Sequence, residues 1–393
     1  MVKYALENVT SDMVLAESIF LKSGELLLAA GYRMQEHYKS LLRKRGITSI
    51  FVQVEGTENV FPETIISSHV QREMALSVSK MENDFLDAFA VHFEGSHAIE
   101  DFISSNKHQL SKFLVDSQIG PKVNAIIREI LNEPIAILSM ADLLDVDAEL
   151  FAHSMNVAAI ALCIGKKFQF SYEEMMQLGI GAVHYDLGMV AIPREILSKE
   201  DELTSEEMSV VKRHTVYGYL MLSQSSVMPA TSSAIAMQHH EFQDGSGFPR
   251  GIKGTNGLPV KDLSRKKMIH RFAEIVAVAD TYEMLLSGRK PYCRPYGAEE
   301  AIKMMVALSG AKLNTAIVNA LVSIVPLYPA GARIRVTHAP ESLLIGYQGV
   351  VAKNHPSHFG KPIIILYENR NHEHVSRLVI DTNKSPGYQF ELV

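Results

Sequence analysis

The chain has 393 residues and a formal net charge of −6, which gives no electrostatic reason to expect DNA, RNA or an anionic membrane as its main partner. Its two cysteines, Cys163 and Cys293, argue against a disulfide framework or a cysteine-rich zinc site and are typical of a reducing compartment. The amino terminus lacks an apolar signal core, and the most apolar later run, residues 316–327, contains polar residues and a proline, so we expect a cytoplasmic protein without membrane insertion.

Residues 1–61 predict a small N-terminal α/β module. The segment V-L-A-E-S-I-F alternates between apolar and polar positions, as a half-buried strand does, and a turn and a helical pattern follow it. The helical pattern ends near Lys44, and the β-branched run I-T-S-I-F-V-Q-V then predicts another strand.

Residues 62–137 predict helices that link this module to the rest of the chain. One helix carries apolar side chains at spacings of three and four, which place them on a single face. The stripe consists of Val70, Met74, Val78, Met81, Phe85 and Phe89. It can pack on the chain's own core or on a second copy, so a homodimer through helices in 62–137 is one prediction.

The pattern from about Leu110 to Leu321 is helical, with breaks at Pro134 and Pro193, and residues 138–328 predict a helical domain. Thr204 and Glu207 have the spacing of a capping box and predict the start of a helix that runs to His214. Residues 329–393 contain short β-branched runs between turn residues and predict a β-rich C-terminal appendage. The predicted fold class is therefore mainly α, with β structure at both ends.

Histidine and carboxylate side chains recur through the helical region in positions that could hold a metal ion. The candidates are Glu149, His153, His214, His239, His240 and Asp280. Glu149 and His153 are four residues apart and would share one helix face. These ligand types suit iron, manganese or zinc, and a two-metal site is suited to phosphodiester hydrolysis.

Each candidate also has an ordinary structural explanation. Glu149 and His153 can form a hydrogen-bonded surface pair, and His214 can interact with the dipole at the C-terminus of a helix. Asp280 is harder to explain in this way, because a carboxylate inside the apolar segment I-V-A-V-A-D is costly to bury without a partner or a metal. Taken together, the series favours a metal site.

These motifs resemble the HD-GYP family, helical metal-dependent phosphohydrolases that cleave the bacterial second messenger cyclic di-GMP. The resemblance covers roughly residues 138–310, and its most specific motif is H-H-E-F-Q-D-G-S-G-F-P, which begins at His239. The motifs H-S-M-N-V at His153, K-R-H at His214 and V-A-D-T-Y at Asp280 match in order and spacing.

The resemblance implies that residues 138–328 form an HD-type helical bundle with one or two divalent transition-metal ions, iron or manganese ahead of zinc. Carried over position by position, the implied metal ligands are Glu149, His153, Asp186, His214, His239, His240 and Asp280. Asp186 and His214 are the implied catalytic residues. Asp186 would bridge the ions and orient the attacking water.

The segment G-A-V-H-Y-D-L-G-M departs from the family's pattern. An ungapped alignment places Tyr185 at the position of the motif histidine, one residue after His184. On a regular helix His184 and Asp186 would lie about 200° apart and could not both face one cluster. Three interpretations stay open. His184 is an ordinary helix histidine and Tyr185 replaces the ligand, a helix bulge brings His184 into the site, or Tyr185 itself coordinates or hydrogen-bonds at the metal.

Other departures concern the substrate. Met189 stands where the family has a phosphate-binding lysine, and Phe248 replaces the tyrosine of the G-Y-P signature. The remaining candidate phosphate contacts are Lys253 and Arg289, each of which can also be a solvated surface charge. The ion that would be held by three histidines and Asp186 keeps its ligands, whereas the other ion loses one and should bind more weakly.

Two functions follow from this resemblance. The leading hypothesis is a phosphodiesterase that hydrolyses cyclic di-GMP to linear pGpG, with GMP as a further product. The alternative is a catalytically degenerate, metal-bound regulator that binds cyclic di-GMP or a signalling protein partner without efficient hydrolysis. The loss of a histidine at Tyr185 and a lysine at Met189 motivates this alternative.

Overall fold

The computed structural model describes residues 1–20, 26–44, 47, 49–60, 66–90, 93, 95–133, 152–199, 201–261, 267–288, 295–355 and 358–393. The chain divides into two units. Among the described residues, one unit contains those within 1–60 and 325–393, and the other contains those within 66–133 and 152–324. None of the helices in the described ranges combines the length and the apolar character that crossing a bilayer requires.

The N-terminal part of the first unit consists of short strands and one helix. Its elements are β1 Val2–Ala5, β2 Val14–Leu15, β3 Ile19–Phe20, β4 Leu26–Leu28, α1 Glu36–Lys44 and β5 Ser49–Gln53. Strand β5 lies between β1 and β2 and pairs antiparallel with both, and β3 pairs with β4. Ile50 and Val52 of β5 are buried, as the period-two pattern of a half-buried strand predicts.

The C-terminal part of the first unit is one antiparallel sheet. Its strands are β6 Arg333–His338, β7 Gln348–His355, β8 His358–Glu368, β9 His374–Asp381 and β10 Gln389–Leu392. They are arranged in the order β10-β6-β7-β8-β9, so the predicted β structure after residue 329 is present.

The two parts of the first unit share an apolar core. Val2 and Val60 pack with Val350, Ile365 and Tyr367 of the large sheet. This grouping differs from the predicted division, which treated residues 1–61 and 329–393 as separate domains. Contacts between residues so far apart leave no local pattern in the sequence, and a sheet needs partners to bury its apolar face.

The second unit is helical, which confirms the predicted mainly α fold. Its helices are α2 Ser68–Ala88, α3 Ser96–Ser105, α4 Lys107–Asp116, α5 Ile119–Asn132, α6 Ala152–Lys167, α7 Tyr172–Val183, α8 Arg194–Leu197, α9 Ser205–Lys212, α10 His214–Ser223, α11 Ala230–Gln238, α12 Arg271–Ser287, α13 Ala298–Leu308 and α14 Thr315–Val322. The helix predicted to run to His214 ends at Lys212, and His214 begins α10.

Helix α2 buries its apolar stripe within the chain. Met74, Val78, Met81 and Phe85 are each at most 2% exposed, and α2 contacts α4, α5 and α6. Intramolecular packing accounts for this stripe, because side chains that are already buried cannot form a second interface. A homodimer through other surfaces of residues 62–137 remains a prediction.

A close approach between main chains brings the candidate site together. The 3-10 turn Leu187–Ala191 packs on α10, and a Cβ added at Gly188 would lie 2.0 Å from the carbonyl oxygen of His214 and 2.5 Å from the amide nitrogen of Gly218. Only a residue without a side chain fits there. The approach holds Asp186, which precedes the turn, beside His214.

Candidate metal centre

The segment that carries Asp186 leaves the helical conformation just before the candidate ligands. Helix α7 ends at Val183, and His184 caps it with φ −105° and ψ 5°. Tyr185 and Asp186 form a turn before the 3-10 helix begins. The angular argument for a regular helix therefore does not apply, because the three successive side chains are not on one helix.

His184 is buried at the end of α7. Its Nδ1 donates a hydrogen bond to the carbonyl oxygen of Ile180 at 2.7 Å, and its Nε2 has no hydrogen-bond partner among the residues that the structure describes. Burial lowers the pKa of His184 to about 4, so the ring is neutral at physiological pH. These contacts give His184 a local role in α7 and provide no polar link to the candidate ligands.

Three histidines point ligand atoms at one another. The ring nitrogens that His214, His239 and His240 can offer lie within 4.8 Å of one another. Nδ1 of His214 faces the carbonyl oxygen of Val211 at 2.7 Å, and Nδ1 of His239 faces that of Ala236 at 3.0 Å. A carbonyl can only accept, so each Nδ1 carries the proton and each Nε2 carries a lone pair.

The converging lone pairs fit a cation. Nε2 of His214 and Nε2 of His239 are 3.3 Å apart, and two acceptors at this distance repel unless a cation or a proton lies between them. Backbone carbonyls that fix the tautomer of a histidine are the usual outer contacts of metal ligands. Three imidazoles with one carboxylate suit a divalent transition metal.

Asp186 completes this cluster with a carboxylate oxygen. Its Oδ1 lies 3.3 Å from Nε2 of His214 and 3.5 Å from Nε2 of His239, and it is buried without a hydrogen-bond partner among the described residues. Burial acts to raise the pKa of Asp186, but the neighbouring His239, His214 and His240 outweigh it and lower the pKa below its ordinary value. An ionised, buried and unpartnered oxygen is a suitable metal ligand.

The loop after His240 folds back on the centre. The carboxylate of Glu241 accepts hydrogen bonds from the amides of Arg250 at 2.8 Å and Ile252 at 2.9 Å, and the amide of Phe248 donates to the carbonyl of His240 at 3.1 Å. These bonds stack the ring of Phe248 on that of His240, with centroids 4.6 Å apart. Phe248 thus borders His240 and His214.

A second cluster lies beside the first and is already hydrogen-bonded. Nε2 of His153 lies 2.7 Å from Oδ1 of Asp280, and Nδ1 of His153 contacts Oε2 of Glu283. Burial acts to lower the pKa of His153, but hydrogen bonds to Asp280 and Glu283 and the charges of these carboxylates raise it to about 10. Both nitrogens of this ring are therefore engaged by carboxylates.

Tyr185 joins the two clusters. Its hydroxyl donates to Oδ1 of Asp280 at 2.7 Å, and its ring meets the ring of His239 edge to face at a centroid distance of 4.8 Å. Burial raises the pKa of Tyr185 well above its usual value, and the charges of Asp186 and Asp280 raise it further. The phenol is consequently neutral and acts as a hydrogen-bond donor.

Some residues of the site were not predicted from the sequence. Glu283 contacts His153, and the amide of Asn156 donates to its other oxygen at 3.1 Å. The ammonium of Lys212 lies 5.2 Å from the centroid of the Phe248 ring. Glu283 follows Asp280 by three residues and Asn156 follows His153 by three, and this spacing places each pair on one helix face. No such spacing links Lys212 to His214, because they lie in different helices.

The remaining candidates are not in the cluster. Glu149 and Arg289 lie outside the described residues. Lys253 is exposed in the loop that follows Phe248, and its side chain packs beside Gly245. The structure thus brings together Asp186, the three histidines and Phe248, and it places His153, Asp280 and Tyr185 in the adjoining network. These side chains meet although their positions span 127 residues.

The sequence is similar to known proteins that contain an HD domain. Residues 138–317 match the family model of the HD domain. A cyclic di-GMP phosphodiesterase of Pseudomonas aeruginosa is 28% identical over 264 residues, which cover 67% of this chain and 59% of the relative. A cyclic di-GMP phosphodiesterase of Thermotoga maritima is 34% identical over 179 residues, which cover 45% of each protein.

A solved structure of an HDG"Y"P protein from Bdellovibrio bacteriovorus is 15% identical, with a TM-score of 0.41, and the match covers 82% of this chain and 98% of that one. The chain spans 59% and 45% of the lengths of the two curated relatives. The HD domain match and the similarity to these phosphodiesterases agree with the motifs and with the clustered histidines. Residues 138–317 thus match the HD domain, and the chain is similar to cyclic di-GMP phosphodiesterases, with a divergent motif in which Tyr185 precedes Asp186.

Proposed function

We propose that the protein is a metal-dependent phosphodiesterase that hydrolyses cyclic di-GMP to linear pGpG and then to GMP. The observation that carries this proposal is the convergence of His214, His239 and His240 on one point, with the unpartnered Oδ1 of Asp186 beside it. The printed names of the similar proteins from Pseudomonas aeruginosa and Thermotoga maritima support the choice of substrate.

Asp186 and the three histidines would hold the metal. A divalent iron or manganese ion bound there would neutralise charge on the attacked phosphate and acidify a water molecule. The lowered pKa of Asp186 keeps its carboxylate ionised, so that it can accept a hydrogen bond from the attacking water and orient it. His214 holds its lone pair towards the same point through its bond to Val211.

Substrate binding is assigned to the loop and to nearby cations. Phe248 is fixed against His240 and offers an aromatic edge to a guanine base. Lys212 is exposed, lies near Phe248 and has the charge needed for a phosphate, in place of the lysine that Met189 replaces. Lys253 and Arg289 remain proposed as further phosphate contacts.

The second candidate function is a regulator that binds cyclic di-GMP or a signalling protein without efficient hydrolysis. The observation that favours it is the hydrogen bond from Tyr185 to Asp280, which occupies a carboxylate that the resemblance assigns to a metal. The cytoplasm is the proposed location for either function, since cyclic di-GMP is an intracellular messenger in the family that this chain resembles.

The deciding experiment uses the purified full chain, loaded without oxygen with iron(II) or manganese(II), and follows cyclic di-GMP, pGpG and GMP by chromatography. We expect turnover by the wild type and at least about a hundredfold loss in His239→Ala, which removes a candidate ligand. His97→Ala, which removes an imidazole that is 93% exposed, is the matched control and should keep full activity. Binding of cyclic di-GMP without turnover would favour the regulator, and the absence of both would overturn the two functions.

A further inference from the structure

The two clusters of the centre differ in whether their ligand atoms already have hydrogen-bond partners. In the first, Nε2 of His214 and Nε2 of His239 face each other as lone pairs, and Oδ1 of Asp186 has no hydrogen-bond partner among the described residues. In the second, Oδ1 of Asp280 already faces two side chains, Nε2 of His153 and the hydroxyl of Tyr185, each at 2.7 Å. The first cluster needs a cation, and the second is satisfied without one.

Tyr185 cannot easily leave this position. The side chain is fully buried, its ring is packed edge to face against His239, and its hydroxyl reaches Asp280 on helix α12. A neutral hydroxyl that donates a hydrogen bond to a carboxylate occupies a lone pair of the carboxylate oxygen. A metal ion would otherwise bind that lone pair. Where the motif histidine would contribute a nitrogen ligand, this chain contributes a donor.

The second cluster is also poor in ligands. Within the described residues, the only group of three or more histidine, cysteine or acidic side chains whose ligand atoms converge is His214, His239 and His240. His153 is the single imidazole of the second cluster, and its Nδ1 is held by Glu283. A transition-metal ion is usually bound by at least three protein ligands with free donor atoms, and among the described residues the ligand atoms of this cluster are bonded to one another.

We propose that Tyr185 closes the second metal position, so that the protein binds a single metal ion per chain, at His214, His239, His240 and Asp186. The proposal rests on the metal centre of the proposed function and specifies its nuclearity. It assigns Tyr185 as a positioning residue, since its hydroxyl holds Asp280 and its ring supports His239.

The experiment measures metal stoichiometry and does not depend on turnover. Metal-free full chain is titrated with manganese(II), the bound metal is quantified by calorimetry and by elemental analysis after gel filtration, and the loaded sample is studied by electron paramagnetic resonance. We expect one ion per wild-type chain and the six-line signal of isolated manganese(II). His239→Ala should lose this ion, which locates it in the three-histidine cluster.

The variant Tyr185→His restores an imidazole at the motif position and should raise the stoichiometry to two ions, with the signal of a coupled pair. Tyr219→His, which adds an imidazole on the exposed side of helix α10, is the matched control and should stay at one. A coupled pair in the wild type would overturn the proposal, and this measurement holds even if Tyr185→His does not fold. A folded Tyr185→His protein that still binds one ion would also overturn it.

The failures of the two proposals are distinguishable. One bound ion without cyclic di-GMP turnover would refute the hydrolytic function and leave the single-ion proposal intact. Turnover by a protein with two bound ions would refute the single-ion proposal alone.

Discussion

The phenol oxygen of Tyr185 lies 2.7 Å from Oδ1 of Asp280, a residue 95 positions later in the chain. A buried hydrogen bond to a charged acceptor contributes about 1.5–3 kcal/mol to stability. We therefore expect Tyr185→Phe to lower the free energy of unfolding of the metal-free protein by about 2 kcal/mol, measured by urea denaturation.

The control for this hydrogen bond is Tyr282→Phe. Tyr282 is 1% exposed, and burial is the cause that raises the pKa of its hydroxyl, with no charged partner contributing, so this change should cost less than about 0.5 kcal/mol. Equal losses in the two variants would show that the Tyr185 hydroxyl contributes nothing beyond its burial.

Gly188→Ala should disrupt the metal centre, although residue 188 is not a candidate ligand. The added Cβ would meet the carbonyl oxygen of His214 at 2.0 Å, so the 3-10 turn and α10 must separate and carry Asp186 away from His214. We expect a loss of at least about 2 kcal/mol in unfolding free energy and weaker metal binding in calorimetry. Gly120→Ala, where nothing lies within 4 Å of the new Cβ, should leave both unchanged.

Lys212→Met should weaken substrate binding and leave the metal in place. If the ammonium near Phe248 contacts a phosphate, its removal costs about 1.4 kcal/mol, which is a tenfold rise in KM for cyclic di-GMP. Metal content should not change. Lys303→Met, on the exposed side of helix α13, is the control, and a similar rise in KM for that variant would rule out a specific role for Lys212.

His270 should make the stability of the protein depend on pH. Its side chain accepts a hydrogen bond from the amide of Phe272 at 3.3 Å and so caps helix α12. Burial lowers its pKa from 6.5 to about 4, and the charge of Arg271 adds to this effect. Between these values the unfolded chain binds a proton that the folded chain does not, so stability is lost as the pH falls through this window and is retained above pH 6.5.

His270→Asn keeps a capping acceptor and removes the titration. Urea unfolding between pH 7 and pH 4.5 should show a steeper loss of stability in the wild type than in this variant, by at most about 1.4 kcal/mol per pH unit. Parallel curves for the two proteins would mean that His270 does not titrate differently on folding.

Local sequence signals predicted the helices and the histidines and carboxylates that the structure brings together. The capping box of Thr204 and Glu207 is confirmed, with the Thr204 hydroxyl accepting from the Glu207 amide at 3.2 Å and the Glu207 carboxylate accepting from the Thr204 amide at 2.7 Å. The candidate ligand motifs can be recognised in the sequence because histidines and carboxylates interrupt apolar segments.

The direction of the side chains around Asp186 could not be predicted. Helix α7 ends at Val183 with His184 as its C-cap, so neither glycine nor proline marks this end in the sequence, and the turn that follows packs on α10. The role of Glu283 was missed for a related reason. A lone acid in an apolar helix shows that a partner must exist, but only the fold identifies that partner as His153.

The shared core of Val2, Val60 and the large sheet determines which side chains a truncation of the chain would expose. Because the N-terminal strands and the C-terminal sheet belong to one unit, the sheet is not a separate tail that follows the helices. Removal of residues 325–393 would uncover Val2 and Val60 at the opposite end of the sequence. A truncation at the C-terminus would therefore also destabilise the N-terminal strands, because both depend on this shared core.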